Sequence, residues 1–165
     1  MEVVDDYLSQ EDFNTVRSHL YNDGIWAFVD GIDYKDDEDK FQFVHYYIKQ
    51  SMQVSRYINI LLPITNKIKP VVFTRIKANF LTRTPTVTEN RYHVDIKLKR
   101  ENKVRDWTTS IFYVNTNNGY TKFEDGTKIE SVANRFITFP ANKKHLGTSC
   151  TDQNSRVVIN FNYYL

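Results

Sequence analysis

The chain of 165 residues holds one cysteine, Cys150. An intramolecular disulfide and any multi-cysteine zinc or iron–sulfur centre are therefore excluded, and a reducing cytoplasm is the expected compartment. No apolar run approaches the roughly eighteen residues that a membrane-spanning helix needs, so no membrane partner is expected. The opening Met1-Glu2-Val3-Val4-Asp5-Asp6 is acidic and lacks the charged-then-apolar plan of a secretory signal. There is no internal repeat and no low-complexity tract. Charge of neither sign dominates: the formal net charge is +2, which implies no obligatory polyanionic partner. The length favours a single domain over 1–165, with a helical and mixed part over 1–70 and a β core over 71–165.

Aromatic residues are abundant: eleven Tyr, eleven Phe and two Trp favour pleated, half-buried surfaces. Ser9 with Asp12 three residues on reads as a helix start, followed by Phe13, Val16 and Leu20 at helical spacing and stopped by Gly24. Ile25 to Val29 reads as a strand. Six of the ten residues from Asp30 to Asp39 are acidic, but they lack the ligand spacing of a calcium loop and read as a solvated loop. Phe41 to Tyr47 alternates as a strand would, although Phe41, Val44 and Ile48 also fit a helix. His45 within it reads as a packed or hydrogen-bonded residue rather than a ligand. Val54, Ile58, Leu61 and Leu62 form the stripe of a second helix that Pro63 and a turn from Asn66 to Pro70 should close.

Beyond Pro70 the texture is that of strands: 71–81, 91–98, 107–115, 120–124, 127–132, 135–139 and 156–164. Turns are expected at Asn102, over Thr116–Gly119 and at Asp125-Gly126, the last a hairpin signal. Two helices before seven or eight antiparallel strands give a mainly β sandwich or jelly roll whose helices buttress one sheet.

The chemistry gathers around Tyr92-His93-Val94-Asp95. On an extended strand His93 and Asp95 point to the same side and can grip one ion. His145 would supply a second imidazole from another strand. Two imidazoles and a carboxylate fill half an octahedron and leave three open positions, a set that suits a non-haem Fe(II) oxygenase. His-x-Asp alone is weak, because thirteen aspartates make such a spacing beside one of four histidines a chance event roughly one time in three. A dicarboxylate cosubstrate would need a fixed cation for its far end, and an arginine fork is suited to that. Arg156 opens a strand on which Arg156, Val158, Asn160 and Asn162 share one face and Val157, Ile159, Phe161 and Tyr163 the other. The first face lines a polar cavity or meets solvent. Tyr113 either donates to the same carboxylate or is a core aromatic.

In this order the residues resemble a family, the Fe(II)/2-oxoglutarate-dependent dioxygenases, in their compact prolyl-4-hydroxylase-like branch. His93-Val94-Asp95 looks like the proximal motif, Phe112-Tyr113-Val114-Asn115 like its Tyr-Leu-Asn strand, and Asn118-Gly119-Tyr120-Thr121-Lys122-Phe123 like the Gly-Gly-x-Thr-x-Phe segment. Phe139-Pro140 with His145 and Gly147 resembles the distal histidine motif, and Arg156 stands at the family's usual distance beyond it. Asn118, Tyr120 and Val158 depart from the pattern.

The resemblance implies a double-stranded β-helix and Fe(II), held by His93, Asp95 and His145. It also implies 2-oxoglutarate on Arg156 and Tyr113, with Asn79 reaching it as asparagines do in some members. O2 would be consumed, and ascorbate is left open as an accessory. The implied activity is hydroxylation of a protein, peptide or small-molecule substrate, with a prolyl residue favoured by analogy. Asn162 stands where nucleic-acid demethylases carry a second arginine, yet a basic hairpin of Lys97, Lys99, Arg100, Lys103 and Arg105 leaves nucleic acid open. The rival is a jelly-roll binding module without chemistry.

Overall fold

A computed structural model describes residues 1–23, 25–32, 40–96 and 107–165. Gly24 as a helix stop, most of the acidic segment 30–39 and the basic hairpin 97–105 lie outside the described residues. The elements run β1 (Glu2–Val4), α1 (Gln10–Asn22), β2 (Ala27–Asp30), β3 (Phe41–Lys49), β4 (Met52–Gln53), a 3-10 turn (Ile58–Leu61) and α2 (Leu62–Ile68). There follow β5 (Val72–Thr82), β6 (Trp107–Tyr113), β7 (Asn117–Phe123), β8 (Lys128–Ser131), β9 (Arg135–Pro140), β10 (His145–Gly147) and β11 (Ser155–Tyr164).

Two antiparallel sheets face each other as a double-stranded β-helix. The major sheet has the order β1-β9-β6-β11-β5-β3-β2, with β4 on β3; the minor sheet is β10-β7-β8. Alternation on the central strands builds one apolar layer on each side of the major sheet. On β11, Val157, Ile159, Phe161 and Tyr163 join Phe112, Phe136, Ile76 and Ala78 on the outer face. There they meet Phe13, Val16 and Leu20 of α1 and Leu61 and Ile64 of the second helical segment. The helices thus buttress one sheet, as the sequence pattern predicts. The smaller inner layer, between the sheets, is Ile111, Tyr113, Phe123, Ile137, Phe139 and Val158. It fills one end of the space and leaves the other to polar side chains.

Ser9 caps α1: its Oγ accepts from the Asp12 amide at 3.2 Å and donates to Asp12 Oδ2 at 2.8 Å. Four local expectations are corrected. The second helix runs on through Ile68, with Pro63 inside its first turn rather than beyond its end, because the missing proline N–H has no helical partner to lose there. Over the described residues 91–96 there is no strand: one isolated bridge, His93 to His145, replaces the expected ladder. β7 begins at Asn117, inside the expected turn, and β2 starts at Ala27 rather than Ile25. β1, which the sequence pattern did not reveal, pairs with β9 at Glu2↔Thr138.

Asn134 fastens the N-terminal segment to the sheet. Its side chain accepts from the Leu8 amide and donates to the Leu8 carbonyl, both at 2.9 Å and buried, from a left-handed backbone at φ 63° that asparagine tolerates. Asn134→Ala leaves both Leu8 backbone groups unsatisfied, at roughly 1–3 kcal/mol each. Urea unfolding should show a lower midpoint at unchanged slope. An unaltered midpoint would remove this clamp from the account.

Candidate active site

The polar end of the space between the sheets is a cavity of about 210 Å³ whose walls include His93, Asp95, His145, Arg156, Asn79 and Arg75. Ligand atoms of His93, Asp95 and His145 all lie within 4.8 Å of one another, so this group could hold a metal ion. The two histidines are locked together by their backbones: the His93 amide donates to the His145 carbonyl at 2.9 Å and the reverse bond is 3.0 Å. Their rings lie 4.7 Å apart. A single bridge therefore does what the expected strand would have done, bringing the two motifs into register.

Tautomers follow from the partners. His93 Nδ1 faces the Arg91 carbonyl at 3.3 Å and His145 Nδ1 faces the Lys143 carbonyl at 3.1 Å. A carbonyl can only accept, so each Nδ1 carries the proton, and in the neutral ring Nε2 keeps the lone pair. The two Nε2 atoms lie 3.9 and 3.8 Å from Asp95 Oδ1 and Oδ2. Second partners of this kind orient the ligands of metal sites.

Asp95, with a side chain 3% exposed, rests on one rung of the major sheet. Arg75, Asn162 and Thr109 are cross-strand neighbours on β5, β11 and β6. Arg75 Nη2 donates to Oδ1, while Thr109 Oγ1 and Asn162 Nδ2 each donate to Oδ2 at 3.1 Å. Arg75 Nε also donates to Asn162 Oδ1 at 2.7 Å, and Asn162 Nδ2 to Thr109 Oγ1 at 2.9 Å. Burial by itself would raise the carboxyl's pKa. The Arg75 charge, the neighbouring His145 and His93 rings and the Asn162 hydrogen bond outweigh it and hold Asp95 below the usual carboxylate range.

Arg156 is 3% exposed, and among the described residues no carboxylate lies within ion-pair distance of it. Its Nε donates to Ser131 Oγ at 2.8 Å and its Nη2 to Thr121 Oγ1 at 3.2 Å, both neutral partners. Burial pulls the guanidinium's pKa down, against the opposing influence of Tyr113 and Cys150. Room for it comes from glycine. A Cβ on Gly119 would sit 2.7 Å from Arg156 Cδ and 2.6 Å from the Ser149 carbonyl, and one on Gly147 would sit 3.4 Å from Arg156 Nη1. In the minor sheet His145 pairs with Phe123 and Gly147 with Thr121, so the histidine end and the guanidinium end lie two residues apart, roughly 7 Å along β10.

Tyr113 is fully buried, and its hydroxyl donates to Thr121 Oγ1 at 2.7 Å rather than into the cavity. Burial raises its pKa, and the Arg156 guanidinium lies 5.7 Å from its ring centre. Tyr113 thus stands behind Thr121, outside the cavity lining. Asn79 does line the cavity, 8% exposed, and its Oδ1 has no hydrogen-bond partner. His45 stands apart, with Nδ1 on the Ile25 carbonyl and Nε2 on Ser55 Oγ, each at 2.8 Å; it is the packed residue the sequence pattern predicts. Sequence reasoning passed over Arg75, Thr109, Thr121 and Ser131 as site residues. The alternation of Arg75, Lys77 and Asn79 on β5 was the one available sign that this strand has a polar face.

No protein-family model matches the chain, and no curated protein matches it by sequence. Solved structures do match. A viral collagen prolyl hydroxylase from Paramecium bursaria Chlorella virus-1, in complex with 2-oxoglutarate, superposes at TM-score 0.69 and 13% identity over 99% of this chain and 95% of that one. A Trichoplax adhaerens prolyl hydroxylase in complex with a hypoxia-inducible-factor peptide gives 0.64 and 12% over 99% and 82%. HygX from Streptomyces hygroscopicus, with nickel and 2-oxoglutarate bound, gives 0.63 and 9% over 98% and 81%. The chain shares its fold with these structures, two of them prolyl hydroxylases. Among the described residues no helix is long and apolar enough to cross a membrane.

Arg75→Met removes the one cation, among the described residues, that donates directly to Asp95. The expected loss for the metal-free protein is about 2–4 kcal/mol, toward the lower part of the range for broken buried pairs because Arg75 keeps some exposure. A depressed folded-state pKa contributes stability above the unfolded carboxyl value of about 3.9, lost as pH falls through the folded one. The gap between variant and parent in chemical denaturation should therefore be full at pH 7 and shrink below about pH 4. A gap that stayed constant into acid would show that Arg75 acts by packing alone.

Proposed function

We propose that the chain is an Fe(II)- and 2-oxoglutarate-dependent oxygenase that hydroxylates a peptidyl side chain, of which the prolyl residue is the one suggested by the neighbours' names. The observation that carries this reading is the buried Arg156 guanidinium, without a carboxylate partner among the described residues, in the same cavity as the His93, Asp95 and His145 group. A buried cation is costly unless an anion joins it. An external carboxylate would complete it.

The donor set fits the metal. His93 and His145 would each give Nε2, with Nδ1 held on a carbonyl, and Asp95 would give the anionic oxygen. Arg156 would take the far carboxylate of the cosubstrate through a planar fork, oriented by Ser131 and Thr121. Tyr113 supports that fork by holding Thr121, and Asn79 brings a carboxamide to the same wall. When bound, iron and 2-oxoglutarate supply the oxidative chemistry: one O2 and one 2-oxoglutarate are consumed, succinate and CO2 leave, and a substrate C–H becomes C–OH. The protein's own work is to bind, orient and exclude water.

Anaerobic titration with Fe(II) and 2-oxoglutarate should give the weak visible charge-transfer band of the chelate and a raised melting temperature. Neither signal would favour a binding module without chemistry. Asp95→Ala should abolish metal binding with activity. Arg156→Ala should spare the metal and weaken 2-oxoglutarate by roughly 2–5 kcal/mol, about thirty-fold to several thousand-fold. Wild-type 2-oxoglutarate affinity in that variant would disprove the role of Arg156.

A further inference from the structure

Each oxygen of a carboxylate has two lone pairs, and the neighbours of Asp95 use them unequally. Oδ2 accepts two hydrogen bonds, from Thr109 Oγ1 and Asn162 Nδ2, each at 3.1 Å. Oδ1 accepts one among the described residues, from Arg75 Nη2. The lone pair left for a metal ion therefore sits on the oxygen that the guanidinium already holds.

Arg75 is not placed to step aside. Its Nε donates to Asn162 Oδ1 at 2.7 Å, and that carboxamide is fixed in turn through Nδ2 to Thr109 Oγ1 and to Asp95. Asn162 and Thr109 are buried, so the fork is anchored in the wall of the sheet. The Arg75 side chain is 27% exposed, and its charge is only partly screened. A divalent ion taken up by His93, Asp95 and His145 would face this positive charge across one oxygen atom. In the metal-free site the relation is the opposite, because there Arg75 compensates a buried carboxylate. Guanidinium and ion thus serve the same negative charge, and Asp95 is the one acidic residue among the described lining of the cavity.

We propose that Arg75 is a positioning residue that stands in for the metal. It keeps Asp95 ordered and compensated while no ion is bound, and it holds the affinity for the ion below what two histidines and a carboxylate would give alone. This rests on the oxygenase reading and adds to it a cation outside the ligand set that governs how readily the ion is exchanged. The coupling is reciprocal: what the ion loses by sharing Oδ1 with the guanidinium, the guanidinium loses to the ion. Removing the Arg75 charge therefore destabilises the metal-free protein more than the loaded one, and the ion binds more tightly as a result.

The test uses Mn(II) as the probe, with the free ion followed by electron paramagnetic resonance in metal-stripped protein without 2-oxoglutarate. Arg75→Met should bind Mn(II) about ten- to a hundredfold more tightly than the parent, the range of one charge-assisted hydrogen bond. Saturating Mn(II) should also close most of the gap in melting temperature between the two. Arg75→Lys, which keeps the charge, should stay close to the parent. Thr109→Val, which takes a neutral donor from Oδ2, should not tighten binding. Arg75→Gln removes the charge and keeps an amide donor; it should tighten binding in the same direction, and it carries the test where Arg75→Met does not fold. A parent that binds no Mn(II) would sink the oxygenase reading itself. If the parent binds it, unchanged or weaker affinity in the charge-free variants, or equal tightening in Arg75→Lys or Thr109→Val, would overturn the role of Arg75 and leave that reading standing.

Discussion

A carboxylate taken out of water must be surrounded by donors, and Asp95 shows how much structure that demands. Its three donors come from three adjacent strands at one level of the major sheet. Arg75, Asn162 and Thr109 also bond to each other, so none can shift alone. The sheet order β6-β11-β5 is therefore a condition of the site: any other order would separate the donors. The histidines impose a complementary condition on the minor sheet, where β10 must lie within backbone bonding distance of His93.

The second buried charge is solved differently. Arg156 has hydroxyls where Asp95 has a cation, and neutral partners cannot compensate its charge. The space around it is kept by Gly119, where a Cβ would sit 2.7 Å from the Arg156 stem, while at Gly147 a Cβ would only touch the guanidinium. The two charges thus divide the cavity into an end where a carboxylate has a cationic partner and an end where, among the described residues, a guanidinium has only hydroxyl partners.

Much of this was legible in the residues. Strict alternation on β11 separated the helix-facing residues from the cavity-facing ones, and the motifs around His93, Asp95 and His145 anticipated that these three side chains meet, with Arg156 in the same cavity. What escaped the sequence was whatever depends on pairing between distant strands. Arg75 reads as an ordinary strand arginine until register places it opposite Asn162, and Ser131 carries no local sign that it will meet Arg156. The short extended piece at His93 was read as a full strand because alternation cannot tell a ladder from one bridge. The residues leave Tyr113 open between the cosubstrate and the core, and its partner Thr121, eight residues on, takes the hydroxyl.

Register matters most where it is irregular. Between Asn162 and Tyr163 the pairing of β11 with β5 shifts, so that Asn162 faces Arg75 but Tyr163 faces Phe73. Thr74 is the extra residue, with its hydroxyl donating to the Asn162 carbonyl at 3.1 Å. Without the bulge, Phe73 and Arg75 would share a face, two residues apart, and either a phenyl ring would enter the polar side or Arg75 would turn toward the helices. The bulge lets Phe73 pack on Phe161 and Tyr163 in the outer core while Arg75 reaches Asp95. A single inserted residue reconciles the apolar demand of one sheet face with the ionic demand of the other, at the rung where the site begins.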